Sequence, residues 1–166
     1  MHDVFDDLLT ANERYASSFS LGHLTAPADK GFALVTCIDS RIDPLAVLGL
    51  EVGDAKVLRN AGGRVNDETL RSLILATNLL NVDRVAVLHH TDCAMASSQE
   101  EIARRVGERL GIDAPDRDFG AIGEGDPDEV LRADVERVRS APLVHPDTHV
   151  VGWRYDVRTG RISEVC

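Results

Sequence analysis

The apolar positions along the chain change period several times, and each change marks an element. Between residues 4 and 19, Val4, Phe5, Leu8, Leu9, Asn12, Tyr15, Ala16 and Phe19 recur at three- and four-residue steps. That spacing puts them on one broad helical stripe. The polar, proline-containing stretch 20–30 reads as a linker that carries this helix away from the core. GFALVTC (31–37) is a continuous apolar run of the kind buried on both faces of a parallel sheet. AKVLRN (55–60) and DRVAVLHH (83–90) read as the second and third strands.

Helical patterns separate these runs. IDP at 42–44 predicts a short helix with Asp43 as N-cap and Pro44 at its first position. AGGR (61–64) is a glycine-rich turn, and Asn66 or Asp67 then caps a helix with Leu70, Leu73, Ile74, Thr77 and Leu80 on one face. Ser98 with Glu101 predicts a capping box for a helix carrying Ile102, Val106 and Leu110, and Gly111 ends it. Residues 112–125 are a Gly-, Asp- and Pro-rich loop, after which Asp126 and Pro127 open a helix over 126–140. THVVGWRYDV and RISEV flank a turn at Arg158-Thr159-Gly160, giving a fourth strand and an antiparallel fifth.

The expected architecture is α/β: a central, mostly parallel four-stranded sheet with a fifth antiparallel strand, flanked by helices. Ligands of such sheets sit beyond the carboxyl ends of the strands. Cys37, Arg59-Asn60 and His90 all fall there.

Composition narrows the function classes. A length of 166 residues predicts one domain over 1–166, with residues 1–30 as an N-terminal helix and linker. The aromatic share is only 4%, so aliphatic side chains must fill the core. Eighteen basic against 28 acidic residues, a net charge of −10, argues against nucleic acid or an anionic membrane surface as partner. No stretch approaches the roughly 20 apolar residues of a membrane span. MHDVFDDLLTANERY lacks the basic-then-apolar order of a signal peptide. Three cysteines (Cys37, Cys93, Cys166) make no disulfide framework, so the expected setting is a reducing cytoplasm with thiols kept for metal or catalysis.

Two short patterns carry the chemistry. Cys37-x-Asp39-x-Arg41 follows the first strand, and His90-x-x-Cys93 follows the third. Thiolate sulfur and imidazole nitrogen are zinc ligands, and three protein ligands leave one tetrahedral position open, as catalytic sites do. Cys37, His90 and Cys93 form such a set. Asp39 could occupy the open position or hydrogen-bond a water there, and the guanidinium fork of Arg41 could hold Asp39 off the metal.

CIDSR, RNAGG and HTDC, in that order at strand ends, resemble the β-class carbonic anhydrases, especially the short bacterial members. The likeness covers residues 31–96 by motif, and the helix-then-strand tail over 126–165 suits the family's layout. It implies one zinc ion per chain on Cys37, His90 and Cys93, with His89 a bystander and Asp39–Arg41 the catalytic dyad. It also implies a homodimer or homotetramer, with the helix of residues 4–19 packing on a partner subunit. Ala94 stands where many members have glycine, which could tighten the backbone near the metal. The plant-type substrate glutamine has no clear counterpart.

The activity implied is reversible hydration of carbon dioxide to bicarbonate and a proton, rising toward alkaline pH because two thiolates donate more charge to zinc than histidines do. Hydrolysis of carbonyl sulfide or a related linear gas needs the same ligands. A zinc-structured protein with Asp39 as permanent fourth ligand, and a redox protein using Cys37 and Cys93, are the rivals outside this chemistry. RNAGG is expected to shape the pocket floor. His2, His23, His145, His149, Cys166 and Trp153 are expected to take no part in the site.

Overall fold

Val, Leu and Ala fill the two middle strands of a five-stranded sheet, whose order is β2-β1-β3-β4-β5. The computed structural model describes residues 4–123 and 125–166, so His2 lies outside the described residues. β1 (Phe32–Cys37), β2 (Ala55–Asn60), β3 (Arg84–His90) and β4 (His149–Tyr155) run parallel, and β5 (Ile162–Glu164) pairs antiparallel with β4. This is the expected sheet. Every residue of β1 and all of β3 after Arg84 are buried, which is why both read as unbroken apolar runs. β2 lies at one edge of the sheet and alternates between half-buried and exposed along its last four residues.

One face of the sheet packs against α2 (Asp67–Leu79) and α4 (Pro127–Arg139). Val35, Val85 and Val87 meet Leu73 and Ala76 from α2 and Leu131, Val135 and Val138 from α4. Each fully buried Val or Leu among them contributes about 1.5–3 kcal/mol relative to exposure. The other face holds Phe32, Leu34, Ala86 and Leu88 with Trp153 and Tyr155 of β4, and Ile42, Val47 and Leu48 pack against it. Trp153 packs beside Phe32 at 6.2 Å between ring centroids, in the packing role expected of it.

The caps follow the sequence closely, with informative exceptions. Asn66 accepts the Thr69 N–H, and Asp126 accepts that of Asp128. Ser98 accepts from Glu101 N, but the Glu101 carboxylate turns to Arg104 and Arg105 and so does not close the capping box. Asp43 does bond the Ala46 N–H, yet the helix there is a single 3-10 turn over Ala46–Leu48. In α3 (Gln99–Leu110) the buried contacts are Ala103 and Gly107, while Leu110 is exposed. A Cβ at Gly107 would lie 2.9 Å from Ile112 O, so the loop folds back onto this helix only because no side chain intervenes.

α1 (Asp6–Ser17) has no buried residue, and Val4, Phe5, Leu8, Leu9, Tyr15 and Phe19 are all exposed. At the other terminus Cys166 is less peripheral than expected. Its carbonyl accepts the Gly152 N–H, and its sulfur occupies the space where a Gly152 Cβ would stand. No helix among the described residues is long and apolar enough to cross a membrane.

Candidate metal centre

Strand register brings the two motifs together. Cys37 ends β1 opposite Asn60 of β2, and one position earlier Thr36 stands opposite Leu88 of β3. β1 and β3 are neighbours, so Cys37 and His90 finish side by side. The turn after His90 is tied to β4: Thr91 N donates to Tyr155 O, and Val157 N donates to Thr91 Oγ1. Cys93 is carried back over the strand ends by that turn.

The result is a three-donor cluster. One ligand atom each from Cys37, His90 and Cys93 lies within 4.8 Å of the other two, and the two sulfurs are 4.0 Å apart. Sulfur bonds of about 2.3 Å around a tetrahedral ion separate two ligands by roughly 3.8 Å, so the cluster suits such an ion. The imidazole is oriented for the same purpose. His90 Nδ1 lies 2.8 Å from Thr91 O, and a carbonyl only accepts, so the proton sits on Nδ1. His90 Nε2 therefore presents a lone pair, and it is buried without a hydrogen-bond partner. An orphaned acceptor beside two thiols is what a metal would satisfy.

Protonation states agree with that reading. Burial lowers the His90 pKa, so the ring is neutral near pH 7. Burial, with smaller contributions from Cys37 and Asp39, pushes the Cys93 thiol up to about 11 when no metal compensates.

Asp39 and Arg41 form the second layer. Arg41 Nε and Nη2 donate to the two oxygens of Asp39 at 2.9 and 2.7 Å, and the Arg41 backbone N–H donates to Oδ1 at 2.9 Å. These bonds hold the Asp39 carboxyl well below the usual carboxylate range. Asp39 Oδ2 faces His90 Nε2 at 3.9 Å, next to the donor cluster but outside it. Arg59 braces the same segment, donating to the carbonyls of Cys37 and Asp39. All five expected site residues thus occupy one place.

Other features were not legible from the motifs. Asp92, between the two HTDC ligands, accepts from Arg41 through its side chain and its carbonyl. Its position inside the motif was the only signal. His89 points to the opposite face from His90, where its Nε2 lies 3.2 Å from Asp134 Oδ2 of α4. Arg64 Nε donates to the same oxygen at 2.7 Å. Burial alone would raise the Asp134 pKa, but His89 and Arg64 outweigh it and leave it lowered. Gly63, with φ of +67°, lies flush against the backbone of Thr36, Cys37 and Leu88, so RNAGG does form a wall behind the ligands. Ala94 is exposed and does not crowd the cluster. His23, His145 and His149 are exposed and outside the site.

Known proteins resemble the chain in sequence and fold. The carbonic anhydrase family profile matches residues 32–111. β-Carbonic anhydrase 1 of Mycobacterium tuberculosis is 37% identical over 163 residues, 98% of each chain. A carbon disulfide hydrolase of Acidithiobacillus thiooxidans is 30% identical over 155 residues, covering 82% of this chain and 77% of that one. The crystal structure of a carbonic anhydrase from Streptococcus mutans superposes with a TM-score of 0.88 at 38% identity, covering 100% and 99% of the two chains. With near-complete coverage at these identities, and with CIDSR, RNAGG and HTDC meeting at one sheet edge, the chain belongs to the β-carbonic anhydrase family.

Proposed function

We propose that the chain is a zinc-dependent carbonic anhydrase that interconverts carbon dioxide and water with bicarbonate and a proton, with one zinc ion per chain on Cys37, His90 and Cys93. The observation that carries this is the buried, unpartnered His90 Nε2 beside two thiols, with Asp39 tied to Arg41 instead of joining the donors. Zinc, when bound, supplies the positive charge that lowers the pKa of a water and so makes a nucleophile available near neutral pH.

The protein groups have separable tasks. Cys37 and Cys93 provide two negative charges, and His90 is oriented by the Thr91 carbonyl. With its pKa held so low, Asp39 is a poor proton carrier but a strong acceptor. It orients the proton of an oxygen nucleophile so that a lone pair, not the O–H, faces the carbon of the substrate. Arg41 keeps Asp39 in that role, and their pairing speaks against Asp39 as a permanent fourth ligand. The two thiols are free and must stay reduced to hold a metal, which suits a reducing cytoplasm. The bare apolar face of α1 supports a homodimer or homotetramer in which residues 1–30 pack on a partner subunit.

The second reading is hydrolysis of carbon disulfide or carbonyl sulfide at the same centre, favoured by the carbon disulfide hydrolase relative. The experiment is metal analysis followed by parallel assays with carbon dioxide, carbon disulfide and carbonyl sulfide. About one zinc per chain with carbon dioxide turnover is expected, abolished together with metal in Cys37→Ser and His90→Ala. Asp39→Ala should retain zinc and lose most activity. Turnover of a sulfur substrate alone would favour the second reading, and full zinc with no turnover would overturn both.

A further inference from the structure

Arg41 is held from two sides. Beyond its paired bonds to Asp39, its Nη1 donates to Asp92 Oδ2 at 2.7 Å and its Nη2 donates to the Asp92 carbonyl at 2.8 Å. A guanidinium has five N–H donors, and these two residues take four of them. Asp39, itself anchored by the Arg41 backbone N–H, holds the guanidinium from one side only. A second attachment, 51 residues along the chain, holds its other side.

The backbone at Asp92 is shaped for this contact. Its φ of 56° makes it one of two non-glycine residues with left-handed φ among the described residues. The left-handed turn between His90 and Cys93 directs both its carbonyl and its carboxylate back at Arg41. Unfavourable backbone of this kind persists where the surroundings hold it, and it gathers at functional sites.

We propose that Asp92 is a positioning residue for the Asp39–Arg41 pair. Through Arg41 it ties the loop after β1 to the loop that carries Cys93, and it keeps the Asp39 carboxylate beside the donor cluster but outside it. The inference rests on Asp39 and Arg41 being the catalytic pair. Asp92 is not among the clustered donors, and its side chain and carbonyl accept from Arg41, so it acts through Arg41. Its side chain is 64% exposed, so the ion pair contributes little to stability, and its removal should spare the fold.

Two variants test this without disturbing the backbone. Asparagine and glycine both tolerate a positive φ; Asp92→Asn removes the charge, and Asp92→Gly removes the side chain while keeping the carbonyl. In the zinc-loaded protein, Asp92→Gly should keep about one zinc per chain, lower kcat roughly tenfold and leave KM within about twofold. Asp92→Asn should show a smaller loss of the same kind. Asp92→Gly combined with Arg41→Gln should be no slower than Arg41→Gln alone, because the two act as one unit. In the metal-free protein, hydrogen exchange at Arg41 Nε, read by NMR, should be faster in Asp92→Gly than in the unaltered chain.

Wild-type kcat with unchanged Arg41 exchange would overturn the inference. So would additive losses in the double variant, or loss of zinc on Asp92→Gly, which would make Asp92 a support of the ligand loop itself. If Arg41→Gln is slow while Asp92→Gly is not, the catalytic pair stands and only the role of Asp92 falls. If Arg41→Gln has full activity, the reading of the pair falls and takes this inference with it.

Discussion

Replacing Gly63 with alanine should damage the metal centre from behind, without altering any proposed ligand. A Cβ at position 63 would lie 3.0 Å from Cys37 N, 3.0 Å from the Thr36 carbonyl carbon and 3.2 Å from Leu88 O. All three are backbone atoms of the central strands, so no flexible side chain can give way. The left-handed φ of +67° adds about 1–2 kcal/mol for any residue with a Cβ. Forcing extra volume into a packed site adds about 1–3 kcal/mol, for a total of about 2–5 kcal/mol. Gly111, which ends α3, is the control: its φ is also +67°, but its added Cβ would meet nothing within 4 Å. Gly111→Ala should therefore cost only the backbone part, about 1–2 kcal/mol.

Urea unfolding followed by Trp153 fluorescence, with zinc and protein concentration fixed, measures both variants on one scale. Zinc content is the second readout, because Cys37 must shift with its own backbone. Equal destabilisation of the two variants, with full zinc in both, would refute this account of the RNAGG turn.

Other consequences concern protons, buried charge and the bare helix. With the Cys93 thiol raised to about 11 before metal enters, zinc uptake must release its proton, so apparent affinity should rise about tenfold per pH unit between pH 6 and 9 from this group alone. Calorimetry in buffers of different ionisation enthalpy would show it, and a pH-independent affinity would count against it. Asp134→Asn should cost about 3 kcal/mol, since it leaves Arg64 and His89 facing a neutral group. The folded-state pKa of Asp134 is lowered, so its stabilisation is complete above the unfolded value of about 4 and fades as pH falls further. The stability gap between variant and wild type should therefore be full at pH 6 and close in strong acid, as unfolding curves at both pH values would show. Leu9→Asp on the exposed face of α1 should leave the chain folded yet weaken a symmetric dimer by about 3–6 kcal/mol, two copies of one buried leucine. Sedimentation would detect it, and an unchanged assembly would place the interface elsewhere.

Local pattern alone was enough for the five strands and four α-helices of the described residues and for the order in which they alternate, though not for the single 3-10 turn after Pro44. A strand buried on both faces is mostly apolar, and GFALVTC and DRVAVLHH suit that place in an α/β sheet. The caps at Asn66, Ser98 and Asp126 were legible because each side chain bonds a backbone N–H two or three residues away. The donor cluster was legible for a different reason: few residue types bind a soft metal, and both motifs stand where strands end. What lay between distant residues could not be read. Nothing in the spacing shows that Arg41 meets Asp92, that His89 meets Asp134, or that Gly63 lies against Cys37, because strand register and helix placement decide those distances. The side on which His89 falls illustrates the division. Alternation along β3 dictates that His89 and His90 face opposite ways, but only the tertiary structure sets His89 against the carboxylate of Asp134 on α4 and His90 Nε2 beside two thiols.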